Sequence, residues 1–213
     1  MPSLSDAEIR AVSIRKYRQR AADYDQTCGP TWPIRVQAIE GLSLQPGDHV
    51  LDVGCGTGLS LPLLREKVGD TGQVFGFDQS PDMLVHAHTR IREAGWRNVQ
   101  VFESSAQTLR LPGPVDALLF HYTHDILRSA EAIGQLLARA KPQARVAIAG
   151  IKYFPVWLAP LNLWVYLKNY GYNGAPGDLW SPWDRIEPHL DDFRRQSTQW
   201  GMGYLGFGRI KAC

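Results

Sequence analysis

Little in this chain points to the specialised protein classes. Only three of its 213 residues are cysteine, at Cys28, Cys55 and Cys213. Scattered and odd in number, they exclude a disulfide framework and a cysteine-based zinc site. Neither sign of charge dominates: 23 Lys and Arg stand against 21 Asp and Glu, so the total gives no reason to expect nucleic acid as a partner. No apolar run reaches the length of about 18 residues that a membrane-spanning helix needs. Met1-Pro2-Ser3-Leu4-Ser5-Asp6 lacks the charged and apolar regions of a secretory signal, and a reducing cytoplasm is the expected home. Repeats, low-complexity tracts and linkers are missing too.

What is present is ordinary globular composition, 44% apolar and 21% charged, in a length that suits one α/β domain with a sizeable insertion. Ser5-Asp6-Ala7-Glu8 reads as a capping box opening a helix toward Ala22. Its Arg10, Arg15, Lys16, Arg18 and Arg20 make a solvated polar side. Short apolar strands are expected at 49–53, 74–78, 99–102, 115–121 and 145–151. Helices are expected from about Leu59, from Pro81 behind an N-cap at Ser80 to near Gly95, and over roughly Ala130 to Ala140. Strands alternating with helices imply parallel pairing with right-handed crossovers, hence a doubly wound Rossmann-like α/β sheet. Another short helix is expected from Ser181-Pro182-Trp183. Phe193 to Gln199 and Tyr204 to Ile210 read as two closing strands. The chain divides into an N-terminal helical region (1–45), a ligand-binding core (46–151), an insertion (152–192) and the closing strands (193–213).

The sharpest signal is Asp52-Val53-Gly54-Cys55-Gly56-Thr57-Gly58, where the first strand hands over to a helix. Glycines there let the backbone turn tightly and let a ligand lie against the main chain. The helix start beyond supplies unbonded N–H groups and a positive dipole end. The spacing is G-x-G-x-G, not the dinucleotide G-x-G-x-x-G, and no Gly-Lys-Ser/Thr phosphate loop follows. Asp78 ends the second strand, 20 residues after Gly58. An ionised carboxylate there suits a vicinal ribose diol, since it only accepts and both hydroxyls donate.

The glycine loop, followed by Phe77-Asp78-Gln79-Ser80-Pro81-Asp82-Met83-Leu84, resembles the class I S-adenosylmethionine-dependent methyltransferases. The style is closest to small ubiquinone/menaquinone-biosynthesis and phospholipid N-methyltransferase-like proteins. The likeness is strong from about Val50 to Ile151. It implies a seven-stranded sheet with an antiparallel last strand, and S-adenosyl-L-methionine as methyl donor. By that resemblance Asp52, Gly54, Cys55, Gly56 and Gly58 lie against the methionine part of the cofactor. Asp78 holds the ribose, and Gln79 and Met83 flank the adenine. Tyr17 and the Tyr24-Asp25 pair match residues that often precede the core. Ser105, Ala106, Phe120 and His121 complete the expected cofactor contacts. Ser105 stands where such families often carry an aspartate, which exchanges a charge-assisted hydrogen bond for a weaker one.

Methyl transfer needs in-line placement and, for some acceptors, removal of a proton. The loop Phe120-His121-Tyr122-Thr123-His124-Asp125 follows the fourth strand and is unusually polar. His124 is the expected base or substrate orienter, Tyr122 a hydrogen-bond partner, and His121 a further candidate. The competing readings are structural histidines and an Asp125 that caps the next helix. No metal site is expected. Neither an Asn-Pro-Pro-Tyr-like clamp nor a basic patch is present, so the acceptor is expected to be a small molecule rather than a nucleobase. The segment Tyr153 to Leu167 is rich in Trp, Leu, Tyr and Pro. It reads as a helical lid over a lipophilic substrate, against core or dimer face, with membrane-surface contact the least favoured. A module that binds the cofactor without methyl transfer is the alternative function, and a nucleotide-dependent oxidoreductase the least favoured.

Overall fold

Parallel strands covered by helices on both faces read as short, mostly apolar runs, and the chain's strands follow that pattern. In the computed structural model, which describes residues 25, 28–169 and 179–212, they form a seven-stranded sheet of order β3-β2-β1-β4-β5-β7-β6. The strands are β1 His49–Val53, β2 Gln73–Asp78, β3 Val99–Glu103, β4 Val115–His121, β5 Ala140–Ile151, β6 Leu190–Thr198 and β7 Gly203–Ile210. The first five pair in parallel, while β7 runs antiparallel to both β5 and β6. The expected Rossmann-like sheet with an antiparallel last strand is therefore what the chain forms. The expected helix to Ala22 and Tyr17 lie outside the described residues.

Among the described residues six helices accompany the sheet: α1 Trp32–Gly41, α2 Leu61–Val68, α3 Pro81–Ala94, α4 His124–Leu127, α5 Ala130–Leu137 and α6 Ala159–Asn169. Period-two alternation splits the core in two. Leu51, Val53, Phe75, Phe77, Leu118 and Phe120 face α5. Val50, Val74, Ala117, Leu119 and Ala147 face α1, α2 and α3. Counting by twos along the strands puts Asp52, Asp78 and His121 on this second face, at the carboxyl ends.

Three boundaries differ from expectation. The helix expected to reach Ala140 stops at Leu137, because Ala140 already pairs with Val115 and β5 begins there. α2 starts at Leu61 rather than Leu59, with Ser60 as its N-cap residue. Ser181-Pro182-Trp183 opens no regular helix. Asp184 and Ile186 donate only three residues back, to the carbonyls of Ser181 and Trp183, and a single 3₁₀ turn, Glu187–His189, follows. Trp183 explains the interruption, since its ring is drawn into the core, 5.2 Å from that of Tyr204.

Candidate active site

The site forms where β1, β2 and β4 end side by side. Gly54, Gly56 and Gly58 have φ of 64°, 55° and 81°, in the left-handed region that a Cβ disfavours. Two of them are also crowded. A Cβ on Gly54 would lie 2.8 Å from Thr123, and one on Gly58 2.7 Å from Leu61. Among the described residues nothing lies within 4 Å of the Cβ position of Gly56, so there the loop leaves room for a ligand. Cys55 points the other way. Its side chain is buried in the core and packs where Gly76 has no side chain. Only the Cys55 backbone faces the expected cofactor. The same holds for Phe120 and Ala106, whose side chains belong to the opposite core cluster.

Asp78 is bound into the loop. Its Oδ2 accepts from the Gly56 N–H at 3.0 Å and its Oδ1 from the Ser80 N–H at 2.8 Å. The carboxylate keeps acceptor capacity for a ligand hydroxyl. Burial raises its pKa, and the backbone N–H groups of Ser80, Gly56 and Gln79 oppose that rise. Ser80 holds the N-cap position of α3, but its hydroxyl makes no capping bond; Asp78 takes the backbone N–H instead. Gln79 is half-buried and Met83 buried at the start of α3. The Ser105 hydroxyl shares a hydrogen bond with Thr108 at 3.0 Å, closing a turn after β3.

Beneath the loop Asp52 joins a polar group whose other members, Arg35 and Ser60, sequence patterning did not reveal. Asp52 is 2% exposed, and its Oδ2 has no hydrogen-bond partner among the described residues. Burial pushes its carboxyl up to about 7, and the nearby Arg35 charge and the Ser60 hydroxyl pull it back. Arg35 rises from α1, 6% exposed, and bonds the Ser60 hydroxyl. The one available signal was a lone arginine on a helix whose inner face is Ile34, Ala38 and Ile39. A buried carboxylate oxygen without a partner is costly unless a donor or cation arrives. The ammonium group of an amino-acid moiety has that chemistry. Asp25 adds an outer clasp: it accepts from the Thr57 hydroxyl at 2.6 Å and pairs with Arg90 of α3.

The two histidines part company. The His124 Nε2 accepts from the Ile151 N–H at 3.3 Å, and burial lowers its pKa to about 4. Its ring sits against Gly150, where a Cβ would meet it at 2.6 Å. In the neutral ring the other nitrogen carries the hydrogen, so no lone pair remains to take a substrate proton. In this arrangement His124 pins α4 to β5. His121 is buried with its Nε2 unpartnered among the described residues, and burial and the Arg35 charge hold its pKa well below the ordinary value. Its ring lies 4.9 Å from that of Tyr122. Tyr122 adopts a φ of 60° and reaches Gln199 with its hydroxyl at 3.4 Å; burial pushes its pKa up to about 12.

Residues 50–143 match the family described as "Methyltransferase domain". Over 185 residues the chain is 36% identical to the 2-phytyl-1,4-naphtoquinone methyltransferase of Synechococcus elongatus, spanning 82% of this chain and 77% of that protein. Over 135 residues it is 35% identical to the aklanonic acid methyltransferase DauC of a Streptomyces species, spanning 62% of this chain and 60% of that protein. Its fold matches N-methyltransferase NodS of Bradyrhizobium japonicum, solved with S-adenosyl-L-homocysteine, with a TM-score of 0.69 at 15% identity over 94% of this chain and 99% of that one.

Proposed function

The chain belongs to the S-adenosylmethionine-dependent methyltransferases, and we propose that its acceptor is a lipophilic aromatic ring of the quinol type. The residues present fit the cofactor. The open left-handed glycine loop leaves room for its methionine moiety, the Asp78 carboxylate can accept from its ribose, and the unpartnered Asp52 oxygen can accept from its ammonium. When bound, it supplies a methyl group on a sulfonium and is left as S-adenosylhomocysteine.

The chain's own residues have a modest task. Methyl transfer to an activated ring asks for alignment and a dry site more than for strong proton transfer. His121 and Tyr122 are the polar groups at the end of β4 that a ring hydroxyl can meet. A neutral His121 Nε2 either accepts that hydroxyl or donates to its oxygen, according to tautomer. Tyr122, with a pKa of about 12, stays protonated; its O–H is turned to Gln199, which leaves its oxygen to accept from a ring hydroxyl. The α6 segment, joined directly to β5, serves as the cover.

One observation carries the acceptor class: the segment leaving β5 at this end is apolar and aromatic, with no acidic residue from 152 to 169. The quinone-type substrate named for the Synechococcus relative supports it. The test incubates the chain with S-adenosylmethionine and a chemically reduced 1,4-naphthoquinone bearing a phytyl or isoprenoid tail. Mass spectrometry follows the gain of one methyl group, with a hydrophilic catechol for comparison. Methylation of the tailed quinol in preference to the catechol is expected. The reverse preference overturns the acceptor class. Cofactor binding without any product in a wide acceptor screen would favour the non-catalytic alternative.

A further inference from the structure

The strongest departure from ordinary surface chemistry surrounds the exit of β5. A helix on a globular protein normally turns its apolar stripe inward. In and just before α6 the pattern is inverted. Trp157, Leu161, Trp164 and Leu167, spaced by three and four, are exposed, as is Leu163; Trp157 is 76% exposed. The helix is tied down from its other side. Asn162 accepts from the Phe154 N–H at 2.8 Å and donates to the Phe154 carbonyl at 3.0 Å.

A second element adds to the same surface. Trp200, at the tip of the β6–β7 hairpin, is 100% exposed. It sits at φ 59° between Gln199 at 49° and Gly201 at 99°. A bulky residue in that region is uncommon and persists only when its surroundings enforce it. The tip neighbours the stretch that leads into the helix. The Lys152 N–H donates to the Met202 carbonyl at 2.7 Å, and Gly201 lies against the Phe154 ring. Trp180, also exposed, has its ring 5.0 Å from that of Tyr153.

We infer that this face, made by the outer side of α6 and the Trp200 tip, docks on an anionic lipid bilayer surface. Indoles beside leucines suit the boundary between headgroups and acyl chains. Residues 152–167 carry Lys152 and no acidic residue, which complements anionic headgroups. A second copy is the other occupant such a face could take, and the test below separates the two. Among the described residues no helix is long and apolar enough to cross a membrane, so the contact is peripheral. The inference deepens the lipophilic-acceptor reading: a docked chain opens the carboxyl end of its sheet toward lipid, and a tailed acceptor enters without crossing water.

The test is co-sedimentation with vesicles of phosphatidylcholine alone and of phosphatidylcholine with phosphatidylglycerol, without acceptor. Tryptophan quenching by brominated lipid is read in parallel. The chain is expected to bind the anionic vesicles more tightly, with its tryptophans quenched. The W157S/W200S variant should bind about tenfold more weakly, because each indole removed takes a large apolar area out of the contact. Its thermal shift with S-adenosylhomocysteine should be retained, which shows that the variant is folded. Absence of vesicle binding, binding unchanged in the double variant, or a concentration-dependent dimer that the variant abolishes would each overturn the inference. Because no acceptor is present, the outcome is independent of whether naphthoquinols are methylated.

Discussion

Two adjoining regions break the usual division of polar outside and apolar inside, in opposite directions. The floor beneath the glycine loop buries Asp52, Arg35 and His121, while the rim along α6 exposes Trp157, Leu163 and Trp164. The floor is held by bonds between distant segments: α1 to the start of α2 through Arg35 and Ser60, and the loop to β2 through Gly56 and Asp78. The rim is held from behind, through Asn162, and leaves its outer row to the surroundings. Each arrangement costs stability in the isolated chain, and each is relieved by a different partner. An unpartnered buried oxygen awaits a small cationic or hydrogen-bonding group, whereas exposed indoles await an extended apolar surface.

If that contrast is right, substitutions in the floor act through cofactor affinity and pH, and substitutions in the rim leave both alone. Asp78→Ala should have the largest effect. It removes the acceptor for the Gly56 and Ser80 N–H groups together with the ribose contact. Two charge-assisted bonds imply a loss of about 4 kcal/mol, or about a thousandfold in S-adenosylhomocysteine affinity by calorimetry. Normal affinity in that variant would remove Asp78 from the site.

Next comes acid sensitivity. His124 titrates near 4 in the folded chain against an ordinary 6.5, so its contribution to stability is complete above 6.5. As pH falls toward 4 the unfolded chain takes up the proton first, and about 3 kcal/mol is lost. His124→Gln, which can still accept from the Ile151 N–H, should lose that component of the slope in denaturant titrations at pH 7 and pH 4.5. An identical slope would mean that the ring is not held neutral.

A smaller effect should separate Arg35 from a merely structural residue. With Asp52 held near 7, cofactor affinity should rise as pH climbs from 6 to 8 and then level off. Arg35→Met removes the charge that assists ionisation, so the midpoint should move upward and affinity at pH 7 fall by about tenfold. Arg35→Lys should restore part of it. A uniform loss at every pH would indicate damage to packing instead. Smallest of all, Leu163→Ser on the rim should change unfolding stability by no more than about 0.5 kcal/mol, as exposed positions generally do. A large loss there would show that the row is covered within the chain itself.

How much of this could be read from the residues varies with the distance between partners. The Asp52-to-Gly58 loop and Asp78 are local patterns, set by strand length, glycine spacing and position at a strand end, and the structure puts them together at one crevice. Arg35 escaped notice because its partners, Ser60 and Asp52, lie on other elements, and nothing near it in sequence is acidic. The setting of His124 was hidden for the same reason. Its sequence neighbour Asp125 suggested chemistry, but the bond that decides its state comes from Ile151 on β5, made possible by the bare backbone of Gly150.

By itself, then, the sequence determined the order of strands and helices, the doubly wound sheet, the cofactor loop and the family. These follow from periodicity and glycine spacing, which act over a few residues. Only the tertiary structure decided which buried groups go unpartnered, which histidine keeps an open nitrogen and which way the aromatic helix faces. Those outcomes depend on contacts between segments far apart in the chain, where burial, not local propensity, sets charge, tautomer and exposure.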